Sequence, residues 1–395
     1  MEKIKTVDAV TTDIPLFEPR LGGKEWEYVK ECLDTGWLSS AGEYVERFER
    51  SVADYIQCRY AVACVNGTAA LHTALLVAGI KSEDEVIIPA LTFVATGNAV
   101  RYTGACPVFV DVDCDIWQID IQKVKDFLNK ECYQNNGRLI NRRTKRIVRA
   151  IIPVHLLGHP ADMDPILELA KRFGLMVIED AAAAIGAKYK NRFVGHLGDI
   201  GCFSFNGNKI ITSGGGGMLM TNNQQWADQA RYLITQAKDD ALEHIHHNIG
   251  YNYRLTNIQA AVGVAQLQQL ENFIKIKQHI FEQYNKLFQD IPEIILPKVM
   301  PWAQPNYWLY TILIDSQRYG ISSRELLNFL KKSHIQTRPL WHPLHTLIPF
   351  QDCYAYYVEV AEELYRKALS LPSSVGLDEE NLRRVAQAII ECRRV

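Results

Sequence analysis

The sequence predicts an α/β fold, a mostly parallel sheet covered by helices on both faces, followed by a small α+β lobe at the C-terminal end. Between about residues 60 and 220, short apolar runs and helically spaced segments take turns. That alternation is the signature of βαβ units. The apolar runs are also continuous rather than alternating, as in Val86-Ile87-Ile88, Val108-Phe109-Val110 and Val177-Ile178. Strands of this kind are buried on both faces. After Trp226 the alternation stops and a different pattern begins.

Taken in order, residues 25–56 have helical apolar spacing, broken by a glycine-bracketed loop from Thr35 to Gly42. Strand-like runs follow at 60–65, 85–89, 107–111, 150–154 and 175–180, with helical segments at 69–78, 96–102 and 165–173 between them. A long, Gln-rich helical stretch covers 258–288. Beyond Pro292 come a strand at 308–314, a helix at 323–332, a loop at 337–345 and a last helix from about Asp378. The expected division is a large domain over 1–257 and a linker helix with a small domain over 258–395.

Bulk properties limit what the chain can be. Hydrophobic residues make up 48% and charged residues 22% of 395 positions, and 43 Lys+Arg against 45 Asp+Glu leave a formal net charge of −2. Nothing there points to a nucleic acid or an anionic membrane. The first residues, Met1 to Thr6, lack an apolar leader core and no apolar run reaches membrane length, so a cytoplasmic protein is expected. Nine cysteines without a Cys-x-x-Cys spacing read as reduced thiols rather than a disulfide framework or a zinc knuckle. His244, His246 and His247 cluster, and His342 and His345 lie close together, but no acid or thiol supports either group at ligand spacing. No metal is expected.

The chemistry gathers at Lys209. It ends the run Phe203-Ser204-Phe205-Asn206-Gly207-Asn208-Lys209, with four glycines at 214–217 beyond it. A lysine amine condenses readily with an aldehyde, and glycines leave room for a planar group beside the backbone. Alone, such a lysine also fits a surface turn. Asp180 adds weight, because it closes a buried strand and delivers a carboxylate at its C-terminal end. Asn66-Gly67-Thr68 adds more, because a strand passing there into a helix offers free N–H groups and a helix dipole to a phosphate. Pyridoxal phosphate needs all three features: an amine, an acid for the pyridine nitrogen and a phosphate seat.

Gly36-Trp37-Leu38, the Asn66-to-His72 segment, the Pro89-to-Thr96 segment, Glu179-Asp180-Ala181-Ala182, Phe203-Ser204-Phe205 with Lys209, and Gly250-Tyr251-Asn252-Tyr253-Arg254-Leu255 occur in the order seen in the DegT/StrS family of sugar aminotransferases. The resemblance runs from about Ile14 to the 338–345 loop. It implies a fold-type-I, pyridoxal-phosphate-dependent transferase with a seven-stranded-type sheet. The Asn206-to-Lys209 and Arg338-to-His345 segments are most similar to the branch that aminates 4-keto nucleotide sugars toward bacillosamine or legionaminic acid.

The resemblance also implies roles. Lys209 would hold the cofactor as a Schiff base and then move protons as a base, and Asp180 would pair with the pyridinium. Gly67, Thr68 and Ser204 would bind phosphate, although Gly-Thr alone is also an ordinary helix cap. Phe93 would stack on the ring, although an aromatic after a strand is otherwise core. Asn252 would reach the phosphate of a neighbouring subunit in a homodimer, and read alone it is a turn asparagine. Trp37, Arg338, His342 and His345 are the substrate candidates, the substrates being a nucleotide sugar and an amino acid, glutamate. Ala183 departs from the family, which has Gln, His or Glu there to bond the ring hydroxyl, and the acid of the family's Gly-Glu-Gly-Gly run is missing from 214–217.

Rival readings are a 3-keto sugar aminotransferase, a sugar dehydratase of the same family, which carries histidine where Lys209 stands, and a cofactor-bound protein without catalysis. A Rossmann oxidoreductase lacks its Gly-x-Gly-x-x-Gly.

Overall fold

The computed structural model describes residues 13–240 and 242–393. The N-terminal residues 1–12, on which the leader expectation rests, lie outside them. Among the described residues no helix is long and apolar enough to cross a membrane.

Seven strands form the body of the main sheet: β1 (Tyr60–Cys64), β2 (Asp84–Pro89), β3 (Cys106–Val110), β4 (Ile147–Ile151), β5 (Met176–Asp180), β6 (Ile200–Ser204) and β7 (Gly217–Thr221). Their spatial order is β1-β7-β6-β5-β4-β2-β3. All run parallel except β7, which is antiparallel to both its neighbours. The continuous apolar runs have the expected consequence. Ala61, Ala63, Ile87 and Val177 enter one core, while Val62, Cys64, Val86, Ile88 and Ile178 enter the other. Successive side chains of a strand point to opposite faces, so each strand serves both layers.

The C-terminal part holds β8 (Tyr310–Ile314), β9 (Tyr354–Tyr356) and β10 (Ala368–Leu371). β8 and β10 pair antiparallel and share a third core with Tyr284, Phe288, Leu326, Leu330, Val385 and Ile389. β9 leaves that lobe and joins the main sheet parallel to β3.

The long helical stretch is two helices, Asn257–Leu267 and Leu270–Phe288. The first starts with a capping box, in which the Thr256 side chain and Gln259 satisfy each other's backbone N–H groups. The second runs from one core to another, since Phe273 packs in the main body and Ile280, Tyr284 and Phe288 pack in the C-terminal core. Helical spacing continues across the break, which is why the sequence reads as one element. Two further features were not expected: the hairpin of Cys132–Asn135 with Arg138–Asn141, and β9 itself.

Candidate active site

β1 ends at Cys64 and the chain turns through Asn66 into the helix Gly67–Val77. The Asn66 side chain accepts the Ala69 N–H at 2.8 Å, and its carbonyl accepts that of Ala70 at 3.1 Å. Such a cap is worth about 1 kcal/mol. Of the helix's early donors this leaves those of Gly67 and Thr68, and both residues line one cavity of about 330 Å³. The close approach of strand and helix explains the glycine, because a Cβ on Gly67 would lie 2.8 Å from the Ser204 Cβ. Ser204, at the C-terminal end of β6, faces the same space.

Asp180 ends β5 and is 6% exposed. Thr96 donates its hydroxyl to Asp180 Oδ2 at 2.6 Å, and the Ala182 N–H donates to Oδ1 at 3.1 Å. A buried carboxylate needs donors of this kind. The preceding Glu179 points to the opposite face, where Nε2 of His155 lies 2.9 Å from Oε2 and the N–H groups of Gly195 and Gly198 donate at 2.8 and 2.7 Å. Burial pushes the Glu179 carboxyl up, but these contacts outweigh it and hold it below the ordinary glutamate value. The strand end is thus pinned from one side while Asp180 is presented to the cavity on the other.

Lys209 follows a turn closed by its own N–H to Asn206 O at 3.0 Å. The residue is half-buried and lines the cavity, with its ammonium 4.1 Å from the centre of the Trp308 ring. Loss of hydration lowers its pKa from 10.5 to about 8, against the opposing pull of the Asp180 charge. The indole N–H of Trp308 donates to Asn208 O at 2.6 Å, and the ring lies nearly parallel to Trp341, 6.2 Å away. Phe93 meets Trp341 edge-on at 6.2 Å and also lines the cavity.

A second cavity, of about 290 Å³, shares Leu157, Asn208, Trp308 and Trp341 with the first and adds Phe17 and the exposed Arg338.

The structure therefore brings Gly67, Thr68, Phe93, Asp180, Ser204 and Lys209 around one space, with Arg338 next door. It does not bring the rest there within a single chain. Asn252 is exposed and pairs through its backbone with Thr235. Trp37 lines a separate cavity with Cys32, Tyr44 and Asn257. The His342 ring lies tilted against Tyr365 at 4.4 Å with Nδ1 3.0 Å from the Thr346 hydroxyl, and Nε2 of His345 lies 3.1 Å from Glu362 Oε1. Ala183 lines the cavity, and its carbonyl accepts from Asn306 Nδ2 at 2.9 Å.

Sequence reasoning missed Thr96, Trp308 and Trp341. Thr96 had a faint signal, one turn after Thr92 on the segment that carries Phe93. Trp308 had none, because it enters from the far lobe.

An amine with a lowered pKa, a buried carboxylate at the C-terminal end of the neighbouring parallel strand and two N–H groups at a helix start are the three demands of pyridoxal phosphate, and the glycine-cleared cradle gives its phosphate room. The comparisons agree. Residues 19–390 match the model of the DegT/DnrJ/EryC1/StrS aminotransferase family. A GDP-perosamine synthase of Escherichia coli O157:H7 is 42% identical over 378 residues, which cover 96% of this chain and 98% of the relative. EpsN of Bacillus subtilis, assigned as a pyridoxal phosphate-dependent aminotransferase, is 36% identical over 95% of each chain. The solved structure of DesI with its TDP-sugar product superposes with a TM-score of 0.86 at 28% identity, over 97% of this chain and 94% of that one. The chain is thus a pyridoxal phosphate-dependent enzyme of amino transfer and belongs to the DegT/DnrJ/EryC1/StrS aminotransferase family.

Proposed function

We propose that this enzyme moves the amino group of glutamate to the C4 ketone of a nucleotide-linked 4-keto-6-deoxy sugar, and that the nucleotide is guanosine diphosphate. The carrying observation is the pair of adjoining cavities. The first holds Lys209 and Asp180, and the second, past the Trp308 and Trp341 wall, holds Arg338. A ketone can be held at the first while a diphosphate reaches a guanidinium in the second, so binding energy from the remote part positions the reacting carbon. The Escherichia coli relative's name, GDP-perosamine synthase, favours the guanosine nucleotide.

When bound, pyridoxal phosphate supplies an aldehyde carbon for the amine and a ring that withdraws electrons from it. Lys209 would hold the cofactor through its amine and would serve as the base beside the reacting carbon, a task suited by a pKa of about 8. Asp180, fixed by Thr96, keeps the ring nitrogen protonated. Gly67, Thr68 and Ser204 hold the phosphate, Phe93 covers the ring, and Trp308 steadies the lysine ammonium.

We assign the working unit as a homodimer. Phe93 and Tyr102 are more than half exposed, and beside them His72 is buried with Nε2 lacking a partner among the described residues. A second copy covering this face would bring Asn252 to a phosphate seat. We keep the division between the domains at 257/258, at the start of the helix Asn257–Leu267 that leads into the helix entering both cores.

The test is a panel of nucleotide-linked 4-keto and 3-keto sugars with glutamate, the products read by mass spectrometry and NMR. Amination of the guanosine-linked 4-keto-6-deoxy sugar at C4 is expected. Amination at C3, or preference for a free 2-oxo acid, overturns the acceptor assignment and leaves the cofactor site standing.

A further inference from the structure

At the outer edge of the main sheet, away from the cavity, Cys106 opens β3 and Cys353 stands at a bend just before β9. The register pairs Tyr354 with Val108, so the two cysteines belong to neighbouring strands from distant parts of the chain. The two sulfurs and a carboxylate oxygen of Asp352 all lie within 4.8 Å of one another. Such a trio could be a cation site, but its surroundings oppose one. Arg146 Nη1 lies 2.7 Å and Arg101 Nη1 3.1 Å from Cys106 Sγ, Arg101 Nη1 lies 3.8 Å from Cys353 Sγ, and Asp352 is already paired with Arg101 at 3.1 Å. Two guanidinium groups repel an incoming cation and compensate negative charge on sulfur. Both thiols are free, Cys106 being buried and Cys353 partly accessible.

We propose that Cys106 and Cys353 are a peroxide-sensitive pair that closes to a disulfide between β3 and β9. The Cys106 sulfur attacks one oxygen of hydrogen peroxide. An S–O bond forms, the O–O bond breaks, and the second oxygen takes up a proton and leaves as water. The Cys353 sulfur then attacks the resulting sulfenic sulfur. The S–S bond forms, the S–O bond breaks, and the hydroxyl leaves as water with the Cys353 proton. Two thiols lose two electrons to one peroxide and two waters result.

Burial and the neighbouring Cys106 sulfur push the Cys353 thiol up, so the first attack falls to Cys106, on whose sulfur both guanidinium groups converge. A disulfide needs the sulfurs at about 2.05 Å. The remaining approach falls to the 351–353 bend, which lies outside the strand ladder. The bond would fasten β9 to the sheet, together with the preceding segment, in which Leu344 donates to Ala90 O and Phe350 closes over Gly97 beside the Trp341 loop.

The experiment treats the cofactor-loaded full chain with hydrogen peroxide, blocks free thiols with iodoacetamide and maps unreduced peptides by mass spectrometry. A Cys106–Cys353 cross-link that disappears with dithiothreitol is expected. Arg146→Gln should slow its formation on the order of tenfold. Cys353→Ser should leave a sulfenic acid on Cys106 that a cyclic diketone traps. The proposal is overturned if both cysteines remain alkylatable at peroxide doses that oxidise the exposed Cys114, or if Cys106 goes on to sulfinic acid while Cys353 stays free. Zinc retained by the wild-type chain and lost in Cys353→Ser would overturn it in favour of a metal site. The wild-type map decides even if the variants fold poorly.

Discussion

If desolvation sets the Lys209 amine and Asp180 holds part of it back, replacing Asp180 with Asn must lower the amine's pKa further. The starting value is about 8 against an ordinary 10.5. At pH 7 an amine of pKa 8 is about 9% neutral and one of 10.5 about 0.03%, so Lys209 has roughly 300-fold more of the reactive form than a solvent-exposed lysine. Removing a neighbouring carboxylate charge shifts such a group on the order of one unit. The Asp180→Asn midpoint is therefore expected near 7. The readout is competitive acetylation of the cofactor-free protein across pH 6–10 (roughly the span over which these forms exchange), resolved at the Lys209 peptide, with a lysine dipeptide as internal standard. This measures the amine itself and does not depend on turnover. A wild-type midpoint near 10.5 would refute the desolvation argument. An Asp180→Asn midpoint unchanged or raised would refute the coupling between the two groups.

Trp308→Leu keeps the site dry but removes the ring face under the ammonium, so the same titration should drop by up to about one unit, the worth of a desolvated cation–π contact; an unchanged midpoint would show that the contact is incidental. Gly67→Ala forces a Cβ against Ser204, and cofactor retention measured by dialysis and absorbance should weaken at least about tenfold, with the thermal midpoint moving by only a few degrees. Lys209→Ala should show no pyridoxyl adduct after borohydride, and mixing it with Asn252→Ala should restore part of the activity, whereas no recovery after proven subunit exchange would count against a shared site. Glu179→Gln leaves buried donors mismatched and should cost about 2–4 kcal/mol in denaturant unfolding, and near-native stability would dismiss its pinning role.

The parallel sheet was legible because its strands are buried on both faces, and burial on both faces leaves continuous apolar runs that no surface element imitates. The site was legible where backbone geometry dictates residue type. Gly67 has a close approach to Ser204, Asp180 ends a strand where ligands bind, and Lys209 follows a tight turn; each leaves a local mark in the chain. β9 left none, since Tyr354-Ala355-Tyr356 is three residues long and draws its pairing from a sheet edge formed some 250 residues earlier.

The same distinction explains why Trp308 escaped notice while Lys209 did not. Nothing within the 306–310 segment requires a tryptophan at 308; the requirement comes from across the cleft, where Asn208 O needs a donor and the lysine amine lies over the ring. That strap is itself fixed at a distance. Asn306 is fully buried, donates to Ala183 O and Ile185 O at 2.9 Å, and accepts from the Trp308 N–H at 3.1 Å. Ala183 is the position where the resemblance leads one to expect a partner for the ring hydroxyl. The Ala183 and Ile185 carbonyls anchor the segment that delivers Trp308, and because these acceptors are backbone atoms, the tie that brings this aromatic wall in from the C-terminal part leaves no mark in the side chains at 183 and 185.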